Sequence, residues 1–123
     1  MRGQFGFGPE RRLRKRADFL RVQHEGRPVR TPHFILLVAK GVPGPSRLGV
    51  VATRKIGGAV VRNRIKRLCR ECFRRHPALV EPGVDLVAIA KAGAGLLRQD
   101  QVDEEWSSVS RQLLAHSRKV LDG

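Results

Sequence analysis

The spacing of apolar residues along the chain predicts three strands. Residues 34 to 39 (Phe-Ile-Leu-Leu-Val-Ala) are apolar at every position and too short for a typical helix, which predicts a central strand within residues 31 to 40. Two further strands are predicted over Arg47 to Arg54 and Val84 to Ala90, where β-branched and apolar residues recur between turn signals. The Gly/Pro-rich segment at 41 to 46 favours an antiparallel hairpin between the first two strands.

Helical periodicity predicts three helices, at about 16 to 25, 59 to 76 and from about 100 to the C-terminus. The central helix follows a Gly57-Gly58 turn and ends before Pro77. At about 100° per residue, its apolar side chains share one face, formed by Val61, Ile65, Leu68, Cys69, Cys72 and Phe73. The resulting order is αββαβα, which predicts a mixed α+β fold with a two-layer sandwich of sheet and helices.

The length of 123 residues and the hydrophobic content of 41% favour one domain, predicted over residues 11 to 121. Residues 1 to 10 contain glycines at 3, 6 and 8 and are predicted to be a flexible tail. No apolar run approaches the roughly 20 residues of a membrane span, and no signal-peptide pattern is found at the N-terminus. We therefore expect a soluble, cytoplasmic protein without a membrane partner.

Charge changes this picture more than any other feature. The formal net charge is +14, and nine basic residues lie between Arg54 and Arg75 against one acid, Glu71. The basic residues lie on the side of the central helix opposite to its apolar face, so like charges repel one another with little relief within the helix. Such a surface predicts a polyanionic partner, and nucleic acid is the first candidate.

The remaining chemistry-bearing residues give weaker signals. Cys69 and Cys72 form a C-x-x-C pair, which has three interpretations: one half of a zinc site, a redox-active pair, or two cysteines that only pack in the core. Both lie on the apolar face and no second cysteine pair is present, so core packing is the preferred interpretation. The four histidines are scattered and the aspartates do not cluster, so we expect no catalytic residue and no metal site held by the protein alone.

One stretch is specific enough to indicate a family. Residues 54 to 67 read Arg-Lys-Ile-Gly-Gly-Ala-Val-Val-Arg-Asn-Arg-Ile-Lys-Arg, and their core, the Arg-Asn-Arg triplet followed by a hydrophobic residue, Lys and Arg, closely resembles the signature of the bacterial ribonuclease P protein subunit. The basic Arg12-Leu13-Arg14 entry and the Asp18-Phe19 pair also lie where that family has them. The resemblance implies a left-handed crossover through the central helix, against the general preference for right-handed crossovers.

The resemblance also implies a function. In that family a catalytic RNA subunit removes the 5′ leader from precursor tRNA with Mg²⁺, which is bound mainly by the RNA, while the protein binds the leader and supports the RNA. We therefore expect a catalytic RNA and precursor tRNA as partners, with one protein for each RNA. Two other functions remain open: a structural RNA-binding protein of ribosomal type, and an enzyme that hydrolyses RNA without an RNA cofactor.

Site residues follow from the resemblance together with strand alternation, which places four sheet residues on one face. The leader-binding groove is expected between the first helix and the sheet, and comprises Phe19, Ile35, Leu37, Val51, Thr53, Arg62 and Asn63. The residues expected to bind RNA backbone and the catalytic RNA are Arg12, Arg14, Arg54, Lys55, Arg64, Lys66, Arg67, Arg70 and Arg74.

Three positions depart from the family pattern. Aromatic residues are common in the family where this chain has Gln23 and Leu37, which leaves Phe19 as the main stacking platform. Gly58 replaces a common asparagine, so we expect an easy left-handed turn there and no side-chain contact. Leader binding is therefore expected to depend more on charge in this chain.

Overall fold

Residues 11 to 122, which are the residues that the structure describes, form a four-stranded sheet with four α-helices in a computed structural model. The predicted mixed α+β class is confirmed, whereas the predicted tail at 1 to 10 lies outside the described residues. The elements in chain order are α1 (Arg16–Glu25), β1 (Arg27–Arg30), β2 (Phe34–Lys40), β3 (Arg47–Val51), α2 (Ala59–Arg75), β4 (Val84–Ala90), a 3-10 turn (Ala94–Leu96), α3 (Gln99–Ser107) and α4 (Ser110–Asp122).

The sheet has the order β1-β2-β4-β3, so the predicted hairpin between β2 and β3 is wrong. β4 lies between them, antiparallel to β2 and parallel to β3. β4 is buried at six of its seven positions, and a strand that is apolar on both faces is best covered at the centre of a sheet. β3 and β4 are therefore parallel neighbours joined through α2, and the left hand of this crossover stays a prediction.

The hairpin partner of β2 is β1, a strand that the sequence did not predict. β1 is an edge strand of four residues, Arg-Pro-Val-Arg, with only Val29 buried. Thr31 closes the turn, since its backbone N–H donates to the Phe34 carbonyl at 2.9 Å and its hydroxyl oxygen accepts from the Phe34 N–H at 3.0 Å. These bonds start β2 at Phe34, three residues later than predicted.

The two faces of the sheet carry separate apolar clusters. Phe34, Leu36 and Val38 point toward the larger core shared with α2, α3 and α4. There the Trp106 ring meets Phe34 edge to face, with ring centroids 5.6 Å apart. Leu37 and the neighbouring side chains of the opposite face pack under α1 through Val22. One face of the sheet is thus covered by α2, α3 and α4, and the opposite face is covered in part by α1.

The predicted C-terminal helix is two helices, α3 and α4, separated at Ser108 and Val109. The Ser108 hydroxyl donates to the Glu105 carbonyl at 2.6 Å. Serine competes in this way for backbone groups that would otherwise continue a helix. Val102 and Trp106 of α3 and Leu113 of α4 are buried in the larger core.

The Gly57-Gly58 turn leads into α2 as predicted, but the two glycines differ from expectation. Gly57 has the unusual backbone, with φ at 159°, and a Cβ there would lie 2.9 Å from Val61. Gly58 has extended geometry, φ −74° and ψ −175°, as the N-cap of α2, so the expected left-handed conformation at Gly58 is wrong. With glycine as its N-cap, α2 has no side-chain cap hydrogen bond.

Within residues 11 to 122, none of the helices is long and apolar enough to cross a membrane.

Candidate nucleic-acid interface

A buried carboxylate fixes α1 against the sheet. Asp85 on β4 is 1% exposed and accepts two hydrogen bonds from Arg47, at 2.9 and 2.8 Å. Arg21 of α1 donates to the same carboxylate and to the Lys40 carbonyl, at 2.5 and 2.6 Å. The bonds to Asp85 raise the pKa of Arg47, as expected for a cation held by a carboxylate. Hydrogen bonds through Asp85 therefore hold α1, by way of Arg21, against β4 and β3.

Phe19 projects from α1 toward the backbone of β3. A Cβ added to Gly49 would lie 2.6 Å from Phe19 Cε1 and 2.7 Å from Cζ, so the ring edge lies directly over this glycine. The ring is half-buried, with its inner part against Gly49 and the rest open. A residue with any side chain at position 49 would displace the ring.

Three partly exposed side chains continue the sheet face beside Phe19. Ile35 on β2 pairs with Ile89 on β4, which in turn pairs with Val51 on β3. The structure thus confirms that Ile35 and Val51 lie on the face that α1 covers. Ile89 was missed because β2 and β3 were expected to be direct neighbours. The alternation within Val84–Ala90 would have indicated it once β4 was placed at the centre.

Two predicted groove residues have different positions. Leu37 is 7% exposed and lies under the C-terminal end of α1, where a Cβ on Gly26 would be 3.0 Å from its own Cβ. It therefore supports the groove from below instead of lining it. Thr53 is exposed and follows the end of β3, so it belongs to the turn before α2.

The basic entry segment is held along the outer edge of β3. Arg12 forms a parallel bridge with Leu48, and the Leu13 N–H donates to the Leu48 carbonyl at 3.0 Å. Arg11, which was not predicted as a site residue, donates from Nε to the Ser46 carbonyl at 3.2 Å and lies over the Phe73 ring. These contacts place Arg12 and Arg14 beside α2.

Three adjoining hollows follow this edge. The middle one, of about 250 Å³, lies between the entry segment, β3 and α2, and Arg12, Arg14, Lys66 and Arg70 surround Phe19 there. It shares Arg14 and Phe19 with a hollow of about 410 Å³ beside α1, which Arg16, Gln23 and Val51 also line. It shares Arg12 and Arg70 with a hollow of about 310 Å³ on α2. We call their cationic residues the basic track: Arg12, Arg14, Arg16, Lys66, Arg67, Arg70 and Arg74.

Like charges repel one another where the entry segment, with Arg12 and Arg14, lies beside Arg70 of α2. The pKa of Arg70 is lowered, first by partial burial and then by the nearby charges of Arg12 and Arg14. A cation in this position gains from a nearby anion, because the anion relieves both effects. Glu71 forms ion pairs with Arg74 and Arg75, at the C-terminal end of α2.

The predicted residues of the α2 N-terminal region divide into three groups. Arg64 donates from Nε to the Gly95 carbonyl at 3.1 Å and from Nη2 to the Leu97 carbonyl at 2.6 Å, so it ties α2 to the loop after β4, and its contact with RNA stays a prediction. Arg54, Lys55 and Asn63 are exposed. Arg62 lies in the first turn of α2, partly buried, and lines none of the three hollows.

The cysteines do not supply a nucleophile. Burial raises the pKa of both thiols, and for Cys72 the neighbouring Asp103 adds to the effect. A thiol that keeps its proton is a poor nucleophile, and the interpretation of Cys69 and Cys72 as core residues is consistent with their burial.

The carboxylates near the basic track do not fit a Mg²⁺ site. Mg²⁺ prefers carboxylate and water oxygens in octahedral geometry. Asp18 and Asp85 face Arg21 and Arg47, and Glu71 faces two arginines. Within residues 11 to 122, these acids are thus engaged by arginines, and we derive no chemical step through Mg²⁺ on the protein.

Fold and surface together define a small, strongly basic α+β protein whose charged track surrounds one half-buried aromatic ring. A family model described as Ribonuclease P matches residues 7–114. The chain therefore belongs to the ribonuclease P protein family, which confirms the resemblance drawn from residues 54 to 67.

Individual relatives agree with this assignment. The ribonuclease P protein component of Dictyoglomus thermophilum is 43% identical over 95 residues, which cover 76% of this chain and 78% of that protein. The component of Desulfovibrio desulfuricans is 37% identical over 118 residues, 91% of either chain. Among solved structures, the RNase P protein of Thermotoga maritima has a TM-score of 0.73 at 34% identity, covering 82% of this chain and 96% of that one. The Staphylococcus aureus RNase P protein has a TM-score of 0.73 at 30% identity, covering 83% and 94%.

Proposed function

We propose that this protein is the RNA-binding subunit of ribonuclease P. It binds the catalytic RNA subunit, one protein for each RNA, and the 5′ leader of precursor tRNA. It thereby promotes the endonucleolytic step that gives mature tRNA 5′ ends, in which Mg²⁺ is held mainly by the RNA. Family membership favours this function over a ribosomal role or an unaided protein nuclease.

The observation that carries the proposal is the continuity of the basic track around Phe19. Single-stranded RNA is bound without sequence demands when a cationic groove follows its backbone and an aromatic ring stacks on a base. The three hollows share residues in pairs, so one strand can pass from α1 along β3 to α2. The leader is proposed to contact Phe19 and the hollow beside α1.

The α2 side of the track is proposed to hold the catalytic RNA. Arg67 is exposed, and Arg70 and Arg74 lie one and two turns further along the same helix. Arg62, in the first turn of α2, stays assigned to the leader-binding side of the site.

The proposal is tested by reconstitution. The purified full-length protein, combined with the catalytic RNA from the same organism, is expected to speed leader removal from precursor tRNA at low Mg²⁺ relative to that RNA alone. The protein without RNA is expected to give no cleavage. A lack of acceleration would refute the subunit role, and cleavage without RNA would favour an unaided nuclease.

Arg67→Ala is expected to weaken binding of the catalytic RNA and to reduce the salt dependence of that binding by about one unit in the slope of log K against log salt. The reason is that Arg67 is exposed and lines the hollow on α2, where it can contact one phosphate. Fluorescence titration at several salt concentrations measures both quantities. Arg111→Ala is the matched control, because Arg111 is an exposed arginine of α4, away from the track. An unchanged slope for Arg67→Ala would show that Arg67 contacts only solvent.

A further inference from the structure

A second group of chemistry-bearing side chains lies at the C-terminal end of α2, outside the basic track. Cys72 is in the last turns of α2, His76 is its C-cap residue, and Asp103 projects from α3. One ligand atom from each of them, the Cys72 Sγ, a His76 ring nitrogen and an Asp103 carboxylate oxygen, all lie within 4.8 Å of one another. It is the one such group of His, Cys, Asp and Glu found among residues 11 to 122.

We propose that Cys72, His76 and Asp103 form a binding site for a thiophilic divalent cation, of which Zn²⁺ is the physiological candidate. Thiolate, imidazole and carboxylate are the three ligand types that Zn²⁺ takes in proteins, and tetrahedral coordination brings such ligand atoms to about 3.2 to 3.8 Å from one another. The Cys72 Sγ and His76 Nδ1 are already 3.9 Å apart. The site closes on an ion by side-chain adjustment of about 1 Å or less.

The surrounding contacts orient the ligands as outer contacts do in protein metal sites. Without an ion, His76 Nδ1 donates to the Cys72 carbonyl at 2.8 Å, which holds the imidazole beside Cys72; when Nδ1 binds the ion, this hydrogen bond is given up and the ring proton lies on Nε2. Gln99 donates to Asp103 Oδ1 at 3.0 Å and to the Leu68 carbonyl at the same distance, which fixes the carboxylate between α3 and α2. Hydrogen bonds of this kind orient the ligating side chains before the ion binds.

Charge and access also fit a divalent ion. One thiolate and one carboxylate neutralise a 2+ charge, and the proton that Cys72 loses on binding goes to solvent. Cys72 is buried while His76 and Asp103 are partly exposed, so one side is open for a water molecule as fourth ligand. Arg75 pairs with Asp103 and competes with the ion, but its side chain is 41% exposed and can turn into solvent.

The consequence is a clamp between α2 and α3. Because α2 carries most of the basic track, an ion at its C-terminal end would hold the helix against the domain without contacting RNA. This role is independent of the proposed function and is tested on the protein without RNA.

The test is a Co²⁺ titration of the metal-free, full-length protein, followed by displacement with Zn²⁺. We expect the near-ultraviolet charge-transfer band of a cobalt–thiolate bond and the strong visible bands of tetrahedral Co²⁺, all lost when Zn²⁺ is added. The melting temperature is expected to rise with Zn²⁺ concentration. No thiolate band in the wild-type protein would overturn the proposal.

Matched variants separate the site from general effects on folding. Cys72→Ser is expected to lose the charge-transfer band, whereas Cys69→Ser is expected to retain it, because Cys69 is equally buried in the same helix but outside the group. Asp103→Asn should lower Zn²⁺ affinity more than Gln99→Ala, whose expected loss is about 10 to 100-fold. Arg75→Gln should tighten binding by removing the competing cation. A band that persists in Cys72→Ser, or that disappears equally in Cys69→Ser, would refute the assignment.

Discussion

The Phe19→Ala protein is expected to bind precursor tRNA about 1 to 3 kcal/mol more weakly than the unaltered protein, the range measured when a base loses an aromatic partner. Its affinity for mature tRNA, which has no leader, is expected to change little. The reason lies in the position of the ring: it is half-buried over Gly49 and lines two of the three hollows of the basic track. Equilibrium binding of both RNAs to the holoenzyme measures the difference.

Two further variants separate stacking from packing. Phe19→Leu keeps apolar bulk over Gly49 but removes the aromatic face, so it should retain the fold and still lose leader affinity. Gly49→Ala keeps the ring but places a Cβ 2.6 Å from Phe19 Cε1, so the ring must move and leader binding should fall in the same direction. Equal losses for precursor and mature tRNA in Phe19→Ala would refute the leader role of Phe19.

Local patterns were sufficient for the elements that carry strong periodicity. α1 and α2 have the predicted bounds to within a residue, and Val84–Ala90 was predicted in full. What the sequence could not give was the order of strands, because pairing depends on which strand needs cover on both faces. The sequence did not predict β1 for a related reason, since its four residues form a strand only through their pairing with β2.

Charge and alternation indicated the residue types of the candidate site, and tertiary contacts decide which of these residues lie together. The sequence alone shows Arg64 as one cation among many, but the loop after β4 places two carbonyl groups within reach of its guanidinium. Ile89 and the gathering of Arg12 with Lys66 and Arg70 depend on contacts between segments far apart in sequence. The cationic residue types indicated RNA binding from the sequence, but which of them lie together could be seen only in the folded structure.

Asp85 gives the second large expected effect. Asp85→Ala is expected to lower the free energy of unfolding by about 3 kcal/mol, at the low end of the range for breaking a buried ion pair. The carboxylate is 1% exposed and accepts bonds from Arg21 and Arg47, so its removal leaves the two cations with only the more distant Asp18 as a shared acid, at 3.5 and 4.0 Å. The low end applies because the two arginine side chains are 30% and 18% exposed and regain some water. Urea unfolding measures the change.

Two comparisons decide whether this loss belongs to the buried carboxylate. Glu25→Ala removes a different acid that pairs with Arg21, an exposed partner at 3.7 Å, and is expected to cost less than about 1 kcal/mol. Asp85→Asn keeps the shape of the side chain but not its charge, so most of the loss should remain if charge holds α1 in place. Because α1 carries Phe19, Asp85→Ala is also expected to weaken precursor tRNA binding under conditions in which the protein stays folded. Equal stability of the Asp85→Ala and Glu25→Ala proteins would show that the Asp85 carboxylate does not hold α1, and the geometry of the groove would then depend on the apolar packing of α1, through Phe19 and Val22, against the sheet.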